Sequence, residues 1–293
     1  MPKRLSEHTF RDWIKLRPIL QSIKSRRYRM IDRAYCRIAP SDAAIDSLIA
    51  SCAGRQVLVT IAFNDAELIQ IQSQLVRRLI PQALHLIADN SSDATAAQAI
   101  RSDCRTHQVP YVRLPRNPWQ GLAAASRSHG QAMNWVLRQI LTPGRPVSFG
   151  YIDHDLFPTR PCDPFAPLES LPFYGDKRWA GNRWFLWAGY CFFRFEQAER
   201  TRLDFSQDWF IGLDTGGANW AQLYSQWDPR RLPDRPIRET SILPGVELRQ
   251  AYVEWREDWL HEVGLAGDSA FKAQKRAAVL RLLEDRAPLS KAG

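Results

Sequence analysis

Residues 56–63 read QVLVTIAF, a run of strand length rich in β-branched residues and interrupted only by Thr60. A strand that is apolar on both faces belongs in a sheet covered on both sides, the setting of parallel strands joined by helices. The flanking sequence agrees. Asn64 and Asp65 can open a helix in which Leu68, Ile71, Leu75 and Leu79 recur at helical spacing. A second strand is expected over 83–89, ending at Asp89 before the loop Asn90, Ser91 and Ser92. A helix over 93–107 and a third strand over 109–114 follow. Past Pro115, Pro118 and Gly121 a further helix is expected from about Ala123 to Leu141. Upstream, Ser41 and Asp42 can cap a helix carrying Ile45, Leu48 and Ile49. This alternation predicts an α/β fold, a mostly parallel central sheet with helices on both faces.

The fourth strand lies in residues 147–158, VSFGYIDHDLFP, and runs into two aspartates one residue apart. With a side-chain period of two, Asp153 and Asp155 should leave one face and His154 the other. Two hard oxygen donors at a strand end suit a divalent cation. Asn64, Asp89, Asn90, Asn117, Asp153 and Asp155 all fall at or just past strand ends, where open α/β sheets bind ligands.

A chain of 293 residues with 45% hydrophobic content can build a substantial core. No stretch approaches the roughly 20 apolar residues of a membrane span. The opening MPKRLSEHTF lacks the apolar run of a secretory leader, so a cytoplasmic setting is expected. Five scattered cysteines, with no Cys-x-x-Cys, indicate neither a disulfide framework nor a zinc site. Charge is concentrated at one end. Residues 1–38 carry eleven lysines and arginines against Glu7, Asp12 and Asp32, so nearly all of the +9 net charge falls there. Trp13, Ile14, Leu16, Ile19, Leu20 and Ile23 make this a basic, amphipathic helical arm, interrupted by Pro18. It could lie on an anionic membrane at the inner face, or pack on the domain with a solvated basic face. No nucleic-acid motif accompanies it, and none is expected as a partner.

Four segments in order, VTIAFND, LIADNSSDAT, RNPWQGLAAASRSHGQAMNW and YIDHD, resemble a glycosyltransferase of the GT-A fold, closest in pattern to family 2. The resemblance covers residues 56–158 well and the remainder loosely. It implies that Asp89 contacts the base and that Ala62, Phe63 and Asn64 flank the nucleotide. Asn117, Ser126 and His129 would lie near it. Asp153 and Asp155 would hold Mn²⁺ or Mg²⁺ on the diphosphate of a sugar nucleotide. Each has a plainer reading: Asp89 and the Asn90 loop as turn formers, Asn117 as a loop shaper beside Pro118, Ser126 and His129 as capping or surface residues.

The second half is rich in tryptophan: Trp179, Trp184, Trp187, Trp209, Trp220, Trp227, Trp255 and Trp259. Such rings suit sugar faces or simply a core. Residues 181–195, GNRWFLWAGYCFFRF, read as two strand segments around Gly189, which the resemblance puts beside the donor sugar. In FIGLDTGG, residues 210–217, Asp214 stands where family 2 enzymes carry the general base, with Leu213 replacing their usual glutamate and Asp208 as a second candidate. Asp214 could equally cap a helix over 218–223. His261 matches a position where GT-A enzymes add a histidine to the metal. Asp268 should cap a last helix to about Asp285, carrying Phe271, Val279, Leu282 and Leu283 beside Lys272, Lys275, Arg276 and Arg281.

The expectation is an arm, 1–38, followed by one GT-A-type domain, 39–293, with a nucleotide half to 158 and an acceptor half beyond. The implied activity is metal-dependent, inverting transfer of a sugar from a nucleotide-sugar donor to a glycan or lipid-linked acceptor, as in polysaccharide biosynthesis. Rival readings are a sugar nucleotidyltransferase, for which AFNDAEL lacks the glycine-rich basic loop, and a non-catalytic glycan- or membrane-binding protein.

Overall fold

The structure, a computed structural model, describes residues 8–42, 44–120, 125–208, 212–243, 246, 251–263 and 269–286. Gly121, Ala123, Trp209, Phe210 and Asp268, to which the sequence pointed, lie outside the described residues. The first elements are α1 (Phe10–Ile14), α2 (Arg17–Tyr35) and α3 (Ile45–Cys52). An alternating series follows: β1 (Gln56–Ala62), α4 (Ala66–Leu79), β2 (Leu84–Asp89), α5 (Ala94–Thr106), β3 (Tyr111–Arg113), α6 (Ala125–Val136) and β4 (Ser148–Ile152). Helix α6 runs on through a π turn over Leu137–Leu141 into the short α7 (Thr142–Gly144).

These strands and two later ones form a six-stranded sheet in the order β3-β2-β1-β4-β7-β6, where β6 is Phe173–Ala180 and β7 is Arg183–Arg194. The first four are mutually parallel; β7 joins β4 antiparallel and β6 joins β7 antiparallel. Right-handed crossovers place α4 and α5 on one face, while α6, whose crossover returns to the far side of β1, lies on the other. The order therefore reverses between β1 and β4, opening a crevice at their carboxyl ends. This is the GT-A-type, mostly parallel sheet covered on both faces that was expected.

Local sequence explains the helix starts. Asp65 accepts from the Leu68 amide and Asp93 from the Ala96 amide. Asn64 adopts a left-handed backbone, tolerable for asparagine, and its Oδ1 accepts from the Ser92 and Asp93 amides, stitching the loop after β1 to the loop after β2.

Three features differ from expectation. Residues 183–194 are one long strand, hairpinned through Gly181 and Asn182 to β6, not two segments around Gly189. A second sheet, β5-β10-β9-β8, stands apart, formed by β5 (Leu156–Pro158), β8 (Ile237–Ser241), β9 (Tyr252–Arg256) and β10 (Trp259–His261). Beyond β7 comes the short α8 (Phe195–Thr201). After Asp214 a 3-10 turn at Gly217–Asn219 stands in place of a helix over 218–223.

The last helix, α9 (Ser269–Arg286), buries Ala278, Val279 and Leu283. Arg276 reaches back to Glu262 at 3.0 Å, Asp65 at 3.1 Å and Glu67 at 2.9 Å. Lys275 donates to the Val263 carbonyl. Two of its four named cations thus help to pack it on the domain. The arm is docked at its far end: Asp32 accepts from Trp119 Nε1 and Arg127, while Trp135 and Gln139 donate to the carbonyls of Ile38 and Cys36.

Candidate metal and nucleotide site

Strand β4 stops at Ile152, so Asp153 and Asp155 sit on a turn and not on a strand. Their convergence comes from that turn rather than from strand alternation. A buried polar chain braces it from below. The Thr60 hydroxyl donates to Gln72 Oε1 at 2.7 Å, and His85 Nε2 lies 3.0 Å from the same hydroxyl. Gln72 Nε2 then donates to the carbonyls of Asp153 and Leu156, each at 2.7 Å. The Asp153 carbonyl accepts from the Leu156 amide as well, and Gln72 completes the hydrogen bonding of this buried turn, which is why a polar residue occupies the apolar face of α4.

From the turn the chain enters β5, which pairs with β10 so that Leu156 faces His261. That pairing delivers the histidine. His261 Nε2 lies 3.4 Å from Asp155 Oδ1, and one ligand atom from each of Asp153, Asp155 and His261 falls within 4.8 Å of the others. On the opposite ring nitrogen, Nδ1 is 3.0 Å from Glu254 Oε2, supplied by the adjacent β9. Glu254 pairs with Arg256, and Arg256 with Asp176 on β6. Two hard oxygens and an imidazole backed by a carboxylate form a group able to hold a divalent metal ion.

The charges are mutually supporting. Burial works against a charged His261, but Asp155 and Glu254 outweigh it and push the imidazole up to about 9. Burial likewise resists ionisation of Glu254, yet His261 and Arg256 hold it down at about 2. Asp155 is drawn well below the usual carboxylate range by His261, against the opposing effect of burial. An imidazolium here does what a bound cation would do, neutralising two carboxylates.

Above this group a cavity of about 1050 Å³ opens at the carboxyl ends of β1 and β4. Phe63, Ser126, His129, Asp153, Gly189 and Asp214, all predicted from sequence, line it. An added Cβ at Gly189 would overlap the Asp153 carboxylate and the Trp187 ring, so only glycine leaves the aspartate in place. His129 Nε2 is 3.8 Å from Asp153 Oδ1; burial lowers its pKa against the pull of Asp153. Asp214 is exposed, with Oδ1 accepting from Gln207 Nε2 and the Thr215 amide, both at 2.8 Å. His154, expected to face away, lines the same cavity, because it too lies on the turn.

Other predicted residues stand elsewhere. Asp89 has no exposed surface: Tyr111, Arg113 and the Ser91 amide occupy its oxygens at 2.9 Å each, and it presents nothing to a base in this conformation. Ala62 is fully buried, and Asn64 holds the two loops together. Asn117 is buried, donating to the Ser128 carbonyl and accepting from the Trp119 amide. Asp208 lines a separate cavity of about 320 Å³, shared with Asp32 and Arg127. Of the tryptophans, Trp179 and Trp187 line the main cavity, whereas Trp184, Trp255 and Trp259 are core.

Sequence reading missed Gln72, Glu254, Trp119 and Arg178. Arg178 lines the cavity on the β6–β7 hairpin, 5.3 Å from the Trp187 ring, with its pKa lowered by burial and by Arg256. Glu254 was within reach: reading residues 252–261 as a hairpin about Glu257 and Asp258 pairs it with His261.

No protein-family model and no curated protein matches the chain. Solved structures do. One is mannosyltransferase PcManGT from Pyrobaculum calidifontis in complex with GDP-Man and Mn²⁺, at 16% identity and a TM-score of 0.39, over 69% of this chain and 60% of that one. Another is the galactosyltransferase LgtC with donor and acceptor sugar analogues, at 13% identity and a TM-score of 0.34, over 49% and 59%. A third is the bifunctional glycosyltransferase WbbM, at 9% identity and a TM-score of 0.32, over 51% and 33%. The chain thus spans about three fifths of the first two. Such overlaps are too slight to bear on the site, and the fold assignment rests on strand order and crevice.

Proposed function

We propose that the protein is a metal-dependent glycosyltransferase that moves a sugar from a nucleotide-sugar donor to a glycan or lipid-linked acceptor with inversion. The observation that carries this reading is the Asp153, Asp155 and His261 group beside a large cavity at the point where the strand order reverses. Asp153, Asp155 and His261 would hold Mn²⁺ or Mg²⁺, which when bound offsets the charge of a leaving nucleoside diphosphate. Residues 39–158 would supply the nucleotide half and residues 159–293 most of the acceptor half. Phe63, Asn90, Ser126 and His129, which line the cavity, would flank the nucleotide, and Gly189, which makes room for the Asp153 carboxylate, would lie beside the donor sugar.

Asp214 is the general base of this scheme. Gln207 and Thr215 orient its Oδ1, so the second oxygen would take the proton of the acceptor hydroxyl. Asp208, in the other cavity, is set aside from this role. Trp179, 59% exposed at the rim, is a platform for an acceptor ring. A cytoplasmic setting suits the five unpaired cysteines.

A calorimetric screen of uridine, guanosine and thymidine diphosphates with and without Mn²⁺ tests the reading, followed by hydrolysis assays with the matching sugar nucleotides. Binding of at least one nucleoside diphosphate that requires Mn²⁺ is expected. Absence of both binding and hydrolysis across the panel would end the enzyme hypothesis.

A further inference from the structure

The arm divides along its length into a docked half and an uncovered half. From Tyr28 onward α2 grips the domain, with Arg127 lying 4.1 Å from the Tyr28 ring centre and 4.2 Å from that of Trp119. Before Tyr28 the large apolar residues are in solvent: Phe10 is 81% exposed, Ile14 67%, Leu20 59% and Ile23 59%. On α2, Ile19, Leu20, Ile23 and Met30 fall within about 100° of arc at helical spacing, away from the face carrying Tyr28, Asp32 and Tyr35. Trp13 of α1 joins Ile19 and Ile23 around a groove of about 280 Å³. An apolar surface of this extent, standing away from its own domain, is a contact surface.

The charge pattern says what covers it. Every lysine and arginine from Arg11 to Arg37 is exposed, whereas the arm's described acidic residues, Asp12 and Asp32, are both buried. Arg26 and Arg33 border the apolar arc on one side and Lys24 on the other, with Arg27 inside it. A second copy seated on this face about a two-fold axis would bring cations against cations. A sheet of anionic headgroups above a hydrocarbon layer matches both features at once.

We propose that the arm docks on an anionic lipid bilayer, with the apolar arc around Ile19 and Ile23 entering the acyl boundary and the bordering cations meeting headgroups. The root of the arm holds Trp119, which hydrogen-bonds Asp32 and lines the main cavity. Docking therefore fastens that cavity close to the bilayer, where a lipid-borne acceptor would be presented. Only this last consequence rests on the sugar-transfer reading; the docking does not.

Sedimentation of the full chain with vesicles tests it, without donor or metal, so its failure leaves the sugar-transfer reading standing. Binding is expected to equal parts phosphatidylglycerol and phosphatidylcholine, falling with salt, and not to phosphatidylcholine alone. Lys24→Gln with Arg27→Gln should weaken it about 30-fold, and Leu20→Ser with Ile23→Ser at least tenfold. All four side chains are exposed, and circular dichroism should show both variants melting as the parent does. No vesicle binding, equal binding to neutral vesicles, or binding unchanged in the serine variant would overturn the proposal. So would a soluble dimer, by sedimentation equilibrium, that the serine substitutions dissociate.

Discussion

His261 can offer Nε2 to a cation only while Nδ1 keeps a proton, and Glu254 is the acceptor that keeps it there. Glu254→Gln should therefore weaken Mn²⁺ binding by about 10–100-fold, read by calorimetry, with the fold intact; unchanged affinity would show that the pair is structural. Asp155→Ala should remove metal-dependent nucleotide binding altogether. Binding retained in that variant would move the metal to another site. Asp214→Asn is a different case, because in the proposed scheme the residue would act on the acceptor. It should lower kcat for sugar transfer by roughly 10²–10⁴ while nucleotide affinity holds. A parallel loss of nucleotide binding would take the general-base role from Asp214.

At the scale of elements, the turn over residues 153–156 depends on α4 and β1 through Gln72 and Thr60. Gln72→Leu removes its bonds to the Asp153 and Leu156 carbonyls and to the Thr60 hydroxyl, which keep only the Leu156 amide on Asp153 and His85 on Thr60, and should cost roughly 1–3 kcal/mol by chemical denaturation. The same network gives stability a pH dependence. Burial holds His85 down at about 3, against 6.5 for a free imidazole, so the unfolded chain binds the proton first as pH falls. Stability from this residue is complete above about pH 6.5 and declines below it toward pH 3. His85→Gln should flatten the difference in unfolding free energy between about pH 7 and about pH 5; an unaltered slope would assign it to other groups. Helix α9 is held by Arg276 between Glu262, Asp65 and Glu67. Arg276→Ala leaves buried Glu262 unpaired and should cost about 3–5 kcal/mol, seen as a lowered melting temperature.

Over the whole molecule, the arm and the cavity share a wall. Asp32 lies at that junction, and Asp32→Ala should destabilise by about 3–5 kcal/mol, because buried Arg127 loses its carboxylate. Thermal melting that stayed at the parent temperature would show the arm to be energetically separate. Much of the central sheet was legible, because β1, β2 and β4 are buried on both faces and so carry continuous apolar runs. The β6–β7 hairpin was not, since the run Gly175, Asp176, Lys177 and Arg178 breaks the apolar pattern of β6 ahead of the turn at Gly181 and Asn182. Asp153 and Asp155 were legible as neighbours in sequence, though the reason they converge was not.

What the sequence alone determined is whatever follows from residues close along the chain: strand and helix periods, helix caps, a basic arm, and two carboxylates one residue apart. Tertiary structure decided the pairings between distant segments. It gave Asp89 to Tyr111 and Arg113, taking it out of the cavity, and brought His261 to Asp155 with Glu254 behind it. It also docked one end of the arm through Asp32 and Tyr35 and left the large apolar residues of the other in solvent. The physical reason is that a polar or apolar side chain states only its need for a partner. Which partner meets that need depends on the packing of segments up to 100 residues or more apart, as between Asp155 and His261, and local pattern carries no record of it.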